Sequence, residues 1–309
     1  MSDKTSAHVP VVKLNDGREI PQIAFGTWKI PEDVCTLQVT QAVELGFSHI
    51  DTAQAYRNEA EVGKAIRGFG LHRDDFWVTT KWSGLDGKGP RQSCLESLDK
   101  LGLKQIDLYL IHSPRLANEN IPGVWEEFES LKKDGLVKSI GVSNFSIADL
   151  KVLLYSAKIK PVVNQILFHP YVWEKTRPLV EFMEEHDIKA EAYSALYPLT
   201  SQTGGPVDKP VDKIAHKRNL KPEQVLLAWV IAHAGIPITT SSRPDRITSY
   251  LSVPHIHLSK SEVESIDEAG KKFHLKHALK EAVRQKGPTV AFASLVVAGW
   301  LAADAFGLI

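Results

Sequence analysis

Apolar residues along this chain recur with two alternating periods. Short runs rich in Val, Ile, Phe and Tyr are followed by longer stretches in which apolar positions return every three or four residues. The runs read as strands and the stretches as helices, because side chains alternate across a strand and repeat every 3.6 residues around a helix. The first pair of runs stands apart. Val11-Val12-Lys13-Leu14 and Arg18-Glu19-Ile20 flank Asn15-Asp16-Gly17. Asp-Gly is a tight-turn signal, so an N-terminal β-hairpin is predicted after a loose arm over 1–10.

From there the pattern is regular. Strands are predicted at 22–25, 48–50, 76–80, 106–111, 137–142, 161–164, 189–193 and 236–239. Six of the helices between them fall at 33–45, 59–67, 91–101, 124–133, 147–156 and 177–186. After a long loop come 211–218 and 222–233, and the last helix is 259–269. Several boundaries carry physical markers. Ser146 and Asp149 form a capping-box pattern, Pro222 occupies a first helical turn, and Gly46, Gly102 and Gly135 follow helical runs as C-caps. Strict alternation implies parallel strands with right-handed crossovers. Eight such units over roughly 250 residues is the size of a (β/α)8 TIM barrel. A doubly wound open sheet would carry a Gly-x-Gly-x-x-Gly turn after an early strand, and the chain has none.

Three strand-like runs end in ionisable groups. Phe47-Ser48-His49-Ile50 leads into Asp51, with Tyr56 five residues on. Lys81 follows 76–80, and His112 follows 106–111. Each residue alone has a plainer reading: a lysine after a strand is usually solvated, a histidine before Ser113-Pro114 can be a turn residue, and an aspartate can cap the next helix. Their joint occurrence at the ends of three successive strands favours chemistry, because such ends converge on one mouth of a barrel. Asp51, Tyr56, Lys81 and His112 then form a proton-delivery unit for carbonyl reduction. Tyr56 donates the proton, Lys81 lowers the phenol pKa from its usual value of about 10, Asp51 holds Lys81, and His112 orients the substrate.

Composition narrows the field further. Of 309 residues, 43% are hydrophobic and 24% charged, and Lys+Arg equals Asp+Glu at 37 each. No global field draws the chain to nucleic acid. Cys35 and Cys94 give neither a disulfide framework nor metal-ligand spacing, so no metal site is expected and a reducing, cytoplasmic compartment is.

With these residues in view, the chain resembles the aldo-keto reductase superfamily from about residue 11 to 270. The matching segments are Ile20-Pro21-x-Ile23-x-x-Gly26-Thr27-Trp28, Gly46-Phe47-x-x-Ile50-Asp51-Thr52-Ala53-x-x-Tyr56-x-Asn58-Glu59 and Thr80-Lys81. They continue with Asp107-Leu108-Tyr109-Leu110-Ile111-His112, Lys138-Ser139-Ile140-Gly141-Val142-Ser143-Asn144-Phe145, and Asn164-Gln165 before His169-Pro170-Tyr171. The resemblance implies a (β/α)8 barrel, a small-molecule carbonyl substrate and NADPH as cofactor, with NADH as the alternative. It implies that Ser143, Asn144 and Gln165 hold the carboxamide and that Tyr193 stacks on the nicotinamide. Ser194 and Leu196 run along the pyrophosphate, with Thr27 and Asp51 on the cofactor side. Trp28, Tyr56, Trp82 and His112 line the substrate mouth.

The chain departs from the family pattern in places. Thr240 stands where a phosphate-binding lysine is usual, while Ser241 and Arg246 are retained and Arg243 is an additional cation. Losing a charge-assisted phosphate contact weakens preference for the phosphorylated cofactor, and Arg243 is positioned to compensate, so NADPH preference with reduced discrimination is expected. Fungal reductases of ketones and diketones carry a similar Thr-Thr-Ser-Ser segment. Leu167 replaces an acid or amide, and the loop from Ser113 to Asn120 is short, which favours an open pocket. Residues 1–275 are expected to form the barrel and 276–309 a basic, then apolar, extension. Segment 289–309 is predicted to be an apolar C-terminal helix. It reads as a tail anchor on an intracellular membrane or as a helix docked on the barrel or on a second subunit of a dimer. The leading expectation is a reductase of aldehydes or ketones, monomeric or dimeric. The alternative is a cofactor-binding redox-sensing or regulatory subunit on a membrane.

Overall fold

In the computed structural model, residues 9–70 and 72–286 are described, with side chains as far as 273. Strands β1 (Val11–Lys13) and β2 (Glu19–Pro21) pair antiparallel, as the Asp-Gly turn implies. The barrel strands are β3 (Ala24–Gly26), β4 (His49–Asp51), β5 (Trp77–Trp82), β6 (Ile106–Ile111), β7 (Val137–Ser143), β8 (Val163–Leu167), β9 (Lys189–Tyr193) and β10 (Gly235–Thr239). They close in the order β10-β3-β4-β5-β6-β7-β8-β9, every pair parallel. Around them lie α1 (Glu32–Leu45), α2 (Glu59–Gly68), α3 (Pro90–Leu101), α4 (Ile121–Lys133), α5 (Ile147–Ser156) and α6 (Trp173–Glu185). The ring is completed by α7 (Tyr197–Thr200), α8 (Asp208–Arg218), α9 (Pro222–Ala232), α10 (Pro244–Leu251) and α11 (Lys260–Lys286).

The (β/α)8 expectation therefore holds, and most element boundaries agree within a few residues. Three differences have local causes. The helix read from 177 begins at Trp173 and carries Pro178 inside it, so the proline does not mark its start. The segment 244–251, for which the sequence pattern predicts no element, is α10, with Pro244 at its first turn, where a missing N–H is tolerated. The last helix runs past 269 to Lys286, through the basic stretch expected to lie outside the barrel. Among the described residues no helix is long and apolar enough to cross a membrane. The segment 289–309, read as a tail anchor or docked helix, lies outside the described residues.

Strand alternation sorts the barrel into layers. In β5, Val78 and Trp82 pack outward in the shell between strands and helices, whereas Trp77, Thr79 and Lys81 face the interior. At the barrel's lower end Trp77, Leu108, Leu110, Val162, Val163 and Ile236 form an apolar plug with Leu14 and Ile20 of the hairpin. Asp16 in the hairpin turn accepts hydrogen bonds from Lys132 Nζ (2.7 Å) and Ser139 Oγ (2.8 Å), pinning that plug in place. One strand turn above it, the inward positions become polar: Asp51, Lys81, Ser143, Gln165 and Glu191, all buried.

Helices α2 and α3 approach each other closely. A Cβ on Gly63 would lie 2.4 Å from the Leu101 carbonyl oxygen, a backbone atom that cannot swing aside. Gly63→Ala is therefore expected to lower stability by about 1–3 kcal/mol. Gly68→Ala, in the same helix with nothing within 4 Å of the new methyl, should be neutral or slightly stabilising. Thermal unfolding of the two variants checks this; equal melting temperatures would contradict the packing argument.

Candidate active site

The polar layer is built from strand ends. Asp51 is the last residue of β4, and Lys81 lies on neighbouring β5, next to the end of that strand. Lys81 is fully buried, and its ammonium has three partners: Asp51 Oδ1 at 2.7 Å, the Thr52 carbonyl at 2.8 Å and Tyr56 Oη at 3.4 Å. Burial pulls the Lys81 pKa down, but the contacts with Asp51 above all, and with Tyr56 and Glu191, raise it, so the net direction is upward and the ammonium stays charged. The second Asp51 oxygen accepts from Gln165 Nε2 at 2.8 Å.

Tyr56 sits in the 3-10 turn Gln54–Tyr56 that follows β4. Its pKa is raised, and this corrects the sequence expectation. Burial pushes it up, Lys81 pulls it down as anticipated, and burial prevails. The phenol accordingly keeps its proton at neutral pH, while the ammonium beside it awaits any negative charge that forms on the oxygen. His112, one residue past β6, sets its ring edge-on to Tyr56 with centroids 5.8 Å apart. Burial and the nearby Lys81 push its pKa down to about 4, so the imidazole is neutral. Its Nδ1 lies 2.8 Å from Ser83 Oγ.

A cavity of about 740 Å³ opens over this group. It is lined by Asp51, Tyr56, His112, Ser143, Asn144, Gln165, Tyr193, Ser194, Leu196, Trp28, Thr240 and Ser241 among the residues expected to form the site, and it reaches Ser242. Trp28 is 53% exposed at the rim. Five expected residues are absent from the wall: Lys81, which lies behind Tyr56, together with Trp82, Thr27, Arg243 and Arg246. Trp82 packs outward against Phe128 and donates its indole N–H to the Lys88 carbonyl at 3.0 Å. The strand extends to residue 82, so Trp82 alternates away from Lys81 and packs in the core, off the cavity wall where it was expected. Thr27 is fully buried, with Oγ1 donating to Asn58 Oδ1 at 3.3 Å, and braces the loop beneath the site.

The two arginines expected at the adenosine end also lie off the cavity wall. Arg243 forms a bidentate pair with Asp245 (3.1 and 2.8 Å), and Arg246 Nε is 3.6 Å from Glu223. The compensation expected of Arg243 is thus already partly spent on Asp245. Asn144 is similarly committed. Its Nδ2 donates to the His112 carbonyl and to Ser143 Oγ, both at 3.0 Å, and its Oδ1 accepts from Tyr193 Oη at 2.8 Å. Both Asn144 N–H donors are thus engaged, while its oxygen keeps one lone pair for a further donor.

Sequence reasoning missed Ser83, Lys29 and Glu191. Lys29 lines the cavity with its ammonium 4.3 Å from the Trp28 ring centroid, and no ion pair engages it among the described residues. Glu191 was legible only as an inward position of a strand. It is fully buried, and its Oε2 accepts from Gln165 Nε2 at 3.0 Å. His49 Nε2 lies 3.8 Å from Glu191 Oε1. This is not an ion pair: burial holds the imidazole down at about 3, and burial with the Asp51 charge holds the carboxyl up at about 8, so both are neutral near pH 7.

That acid has a measurable consequence. Unfolded, a glutamate titrates near a pKa of about 4.3. Folded, Glu191 keeps its proton to about 8, so between these values the unfolded chain releases a proton that the folded chain retains. Stability contributed by the protonated acid is complete below the lower value and is lost as pH rises toward the upper one. Glu191→Gln removes this loss. Its advantage over wild type in denaturant unfolding should be small at pH 5 and grow to the order of a few kcal/mol by pH 8. An advantage that does not change with pH would contradict the assignment.

Comparison with known proteins gives a family and a shared fold. The profile of the Aldo/keto reductase family matches residues 22–271. Methylglyoxal reductase DkgA of Escherichia coli is 36% identical over 261 residues, covering 84% of this chain and 93% of that protein. The NADPH-dependent alpha-keto amide reductase of Saccharomyces cerevisiae is 36% identical over 287 residues, with 86% and 92% covered. Among solved structures, an aldo/keto reductase from Brucella melitensis superposes with a TM-score of 0.76 at 40% identity, covering 84% of this chain and 99% of that one. A Bombyx mori aldo-keto reductase in complex with NADP gives 0.78 at 32% identity, covering 85% and 93%.

Proposed function

The chain belongs to the aldo/keto reductase family, and from that premise we propose that it reduces a small aldehyde or ketone to the alcohol with NADPH, Tyr56 delivering the proton. The observation that carries the reading is the Lys81 ammonium, fixed by Asp51 at 2.7 Å and 3.4 Å from the Tyr56 oxygen.

The cavity fits the cofactor. Its volume lies in the range of small-molecule and cofactor pockets. Gln165 spends its amide nitrogen on Asp51 and Glu191, which leaves its amide oxygen as the acceptor for a carboxamide N–H. Ser143 lines the same wall, and Tyr193, tied through its hydroxyl to Asn144, presents a ring of fixed position. Ser194 and Leu196 continue the wall, and Lys29 supplies a cation suited to a pyrophosphate. When bound, the reduced nicotinamide supplies the hydride. The protein's own part is to hold the carbonyl oxygen between Tyr56 and His112, to give up the Tyr56 proton to it, and to stabilise the phenolate with Lys81. The neutral His112 ring serves as a hydrogen-bond partner and not as a charge.

At the other end of the cavity, Thr240, Ser241 and Ser242 offer hydroxyls, and the nearby Arg243 charge is shared with Asp245. NADPH preference over NADH is therefore expected to be modest.

Two experiments test this reading. Tyr56→Phe should retain NADPH binding, followed by quenching of protein fluorescence, while turnover of a generic aldehyde falls by about 10²–10⁴-fold; turnover near the wild-type level would refute Tyr56 as donor. Thr240→Lys should raise the NADPH-to-NADH ratio of kcat/KM by roughly tenfold, the worth of one charge-assisted contact. An unchanged ratio would show that residue 240 does not meet the 2′-phosphate.

A further inference from the structure

We infer that Ser83 is a positioning residue for carbonyl reduction: its hydroxyl donates to His112 Nδ1 and so places the imidazole proton on Nε2, the nitrogen left to the cavity. This rests on the reading that His112 meets the substrate carbonyl.

Ser83 follows Trp82 immediately. Trp82 turns outward, so the next residue turns back toward the site. Three contacts fix Ser83 there. Its backbone N–H donates to Gln54 Oε1 at 3.2 Å, and Gln54 is itself buried. Its Oγ accepts from the Ala55 backbone N–H at 3.3 Å. The same oxygen lies 2.8 Å from His112 Nδ1. A serine hydroxyl has one hydrogen and two lone pairs. With one lone pair engaged by Ala55, the hydrogen has two acceptors within reach: His112 Nδ1 at 2.8 Å and the Lys81 carbonyl at 3.5 Å. The second is at the limit of a hydrogen bond, so the first takes the proton. A neutral imidazole that accepts at Nδ1 must carry its hydrogen on Nε2.

The tautomer decides what the site can do. With Nε2–H, His112 donates toward a carbonyl oxygen beside Tyr56. With the opposite tautomer it would present a lone pair to that oxygen and repel it. The ring has little freedom to escape this choice, since it packs edge-on against Tyr56 and the His112 carbonyl is held by Asn144 Nδ2. Ser83 also couples two parts of the site. Ala55 belongs to the turn Gln54–Tyr56, so one hydroxyl bonds both the turn that carries Tyr56 and the histidine facing it.

The test uses the full chain labelled with 15N-histidine. Two-bond 1H–15N spectra at pH 7, with the His112 signals assigned by their loss in His112→Gln, should show wild-type Nδ1 unprotonated and Nε2 protonated. In Ser83→Ala both tautomers should be populated, and kcat/KM for a generic aldehyde should fall by about tenfold, the worth of one oriented hydrogen bond, while NADPH affinity stays within about twofold of wild type. Ser83→Thr should restore both the tautomer and the rate. A wild-type His112 protonated on Nδ1 overturns the inference. So does a Ser83→Ala protein with the wild-type tautomer, or a loss of rate that Ser83→Thr does not recover. The spectrum needs neither substrate nor cofactor, so failure of the reductase reading, seen as turnover surviving Tyr56→Phe, is distinguishable from failure here.

Discussion

The buried pair of Lys81 and Asp51 is the contact on which the site depends. Withdrawing an ammonium and a carboxylate from water is costly, and attraction alone need not offset it. Here the loss is countered by complete hydrogen bonding: Lys81 has Asp51, the Thr52 carbonyl and Tyr56, and Asp51 has Lys81 and Gln165. Such a pair is specific in geometry more than it is stabilising. Removing one member leaves the other's buried charge without its counter-ion, at a cost of roughly 3–5 kcal/mol. Neighbouring strands must therefore keep the register that sets residue 51 beside Thr79, two residues before Lys81.

That pair determines the character of Tyr56. Buried without a cation, a phenol is a still weaker acid than in water. The raised pKa of Tyr56 shows that burial dominates in the resting site, and the Lys81 contribution opposes it without prevailing. The two effects are complementary. Burial keeps the proton on the oxygen until a carbonyl arrives, and the ammonium lowers the energy of the phenolate as the proton leaves. The neutral His112 completes the arrangement by adding no second charge beside Lys81.

Much of this could be read from the chain because barrel geometry makes local patterns global. Alternating periods located the strands and helices, and strand ends located Asp51, Lys81 and His112, since parallel strands deliver their ends to one mouth. The departures have separate local causes, and for one of them the cause is that sequence does not mark where a strand stops. Ending the third predicted barrel strand at residue 80 made Trp82 a rim residue, whereas the strand continues to 82 and alternation turns Trp82 into the core. Thr27, placed by motif, is buried off the cavity wall and hydrogen-bonded to Asn58. Arg243 was counted as a free cation because its pairing with Asp245, two residues on, depends on the turn that opens α10. Ser83 and Glu191 carried no signal of their own. Their roles arise from contacts with His112 and Gln165, each more than twenty residues away in sequence.

The central claim is that the buried ammonium, held by its carboxylate, makes the tyrosine a proton donor. Replacing both members together, Asp51→Asn with Lys81→Met, avoids leaving either charge unpaired. The most direct measurement is the single-turnover rate of aldehyde reduction by this double variant loaded with NADPH, with folding verified by circular dichroism. The account predicts a folded, cofactor-binding protein whose rate falls by about 10²-fold or more. A folded double variant that reduces the aldehyde within a few-fold of the wild-type rate would contradict it.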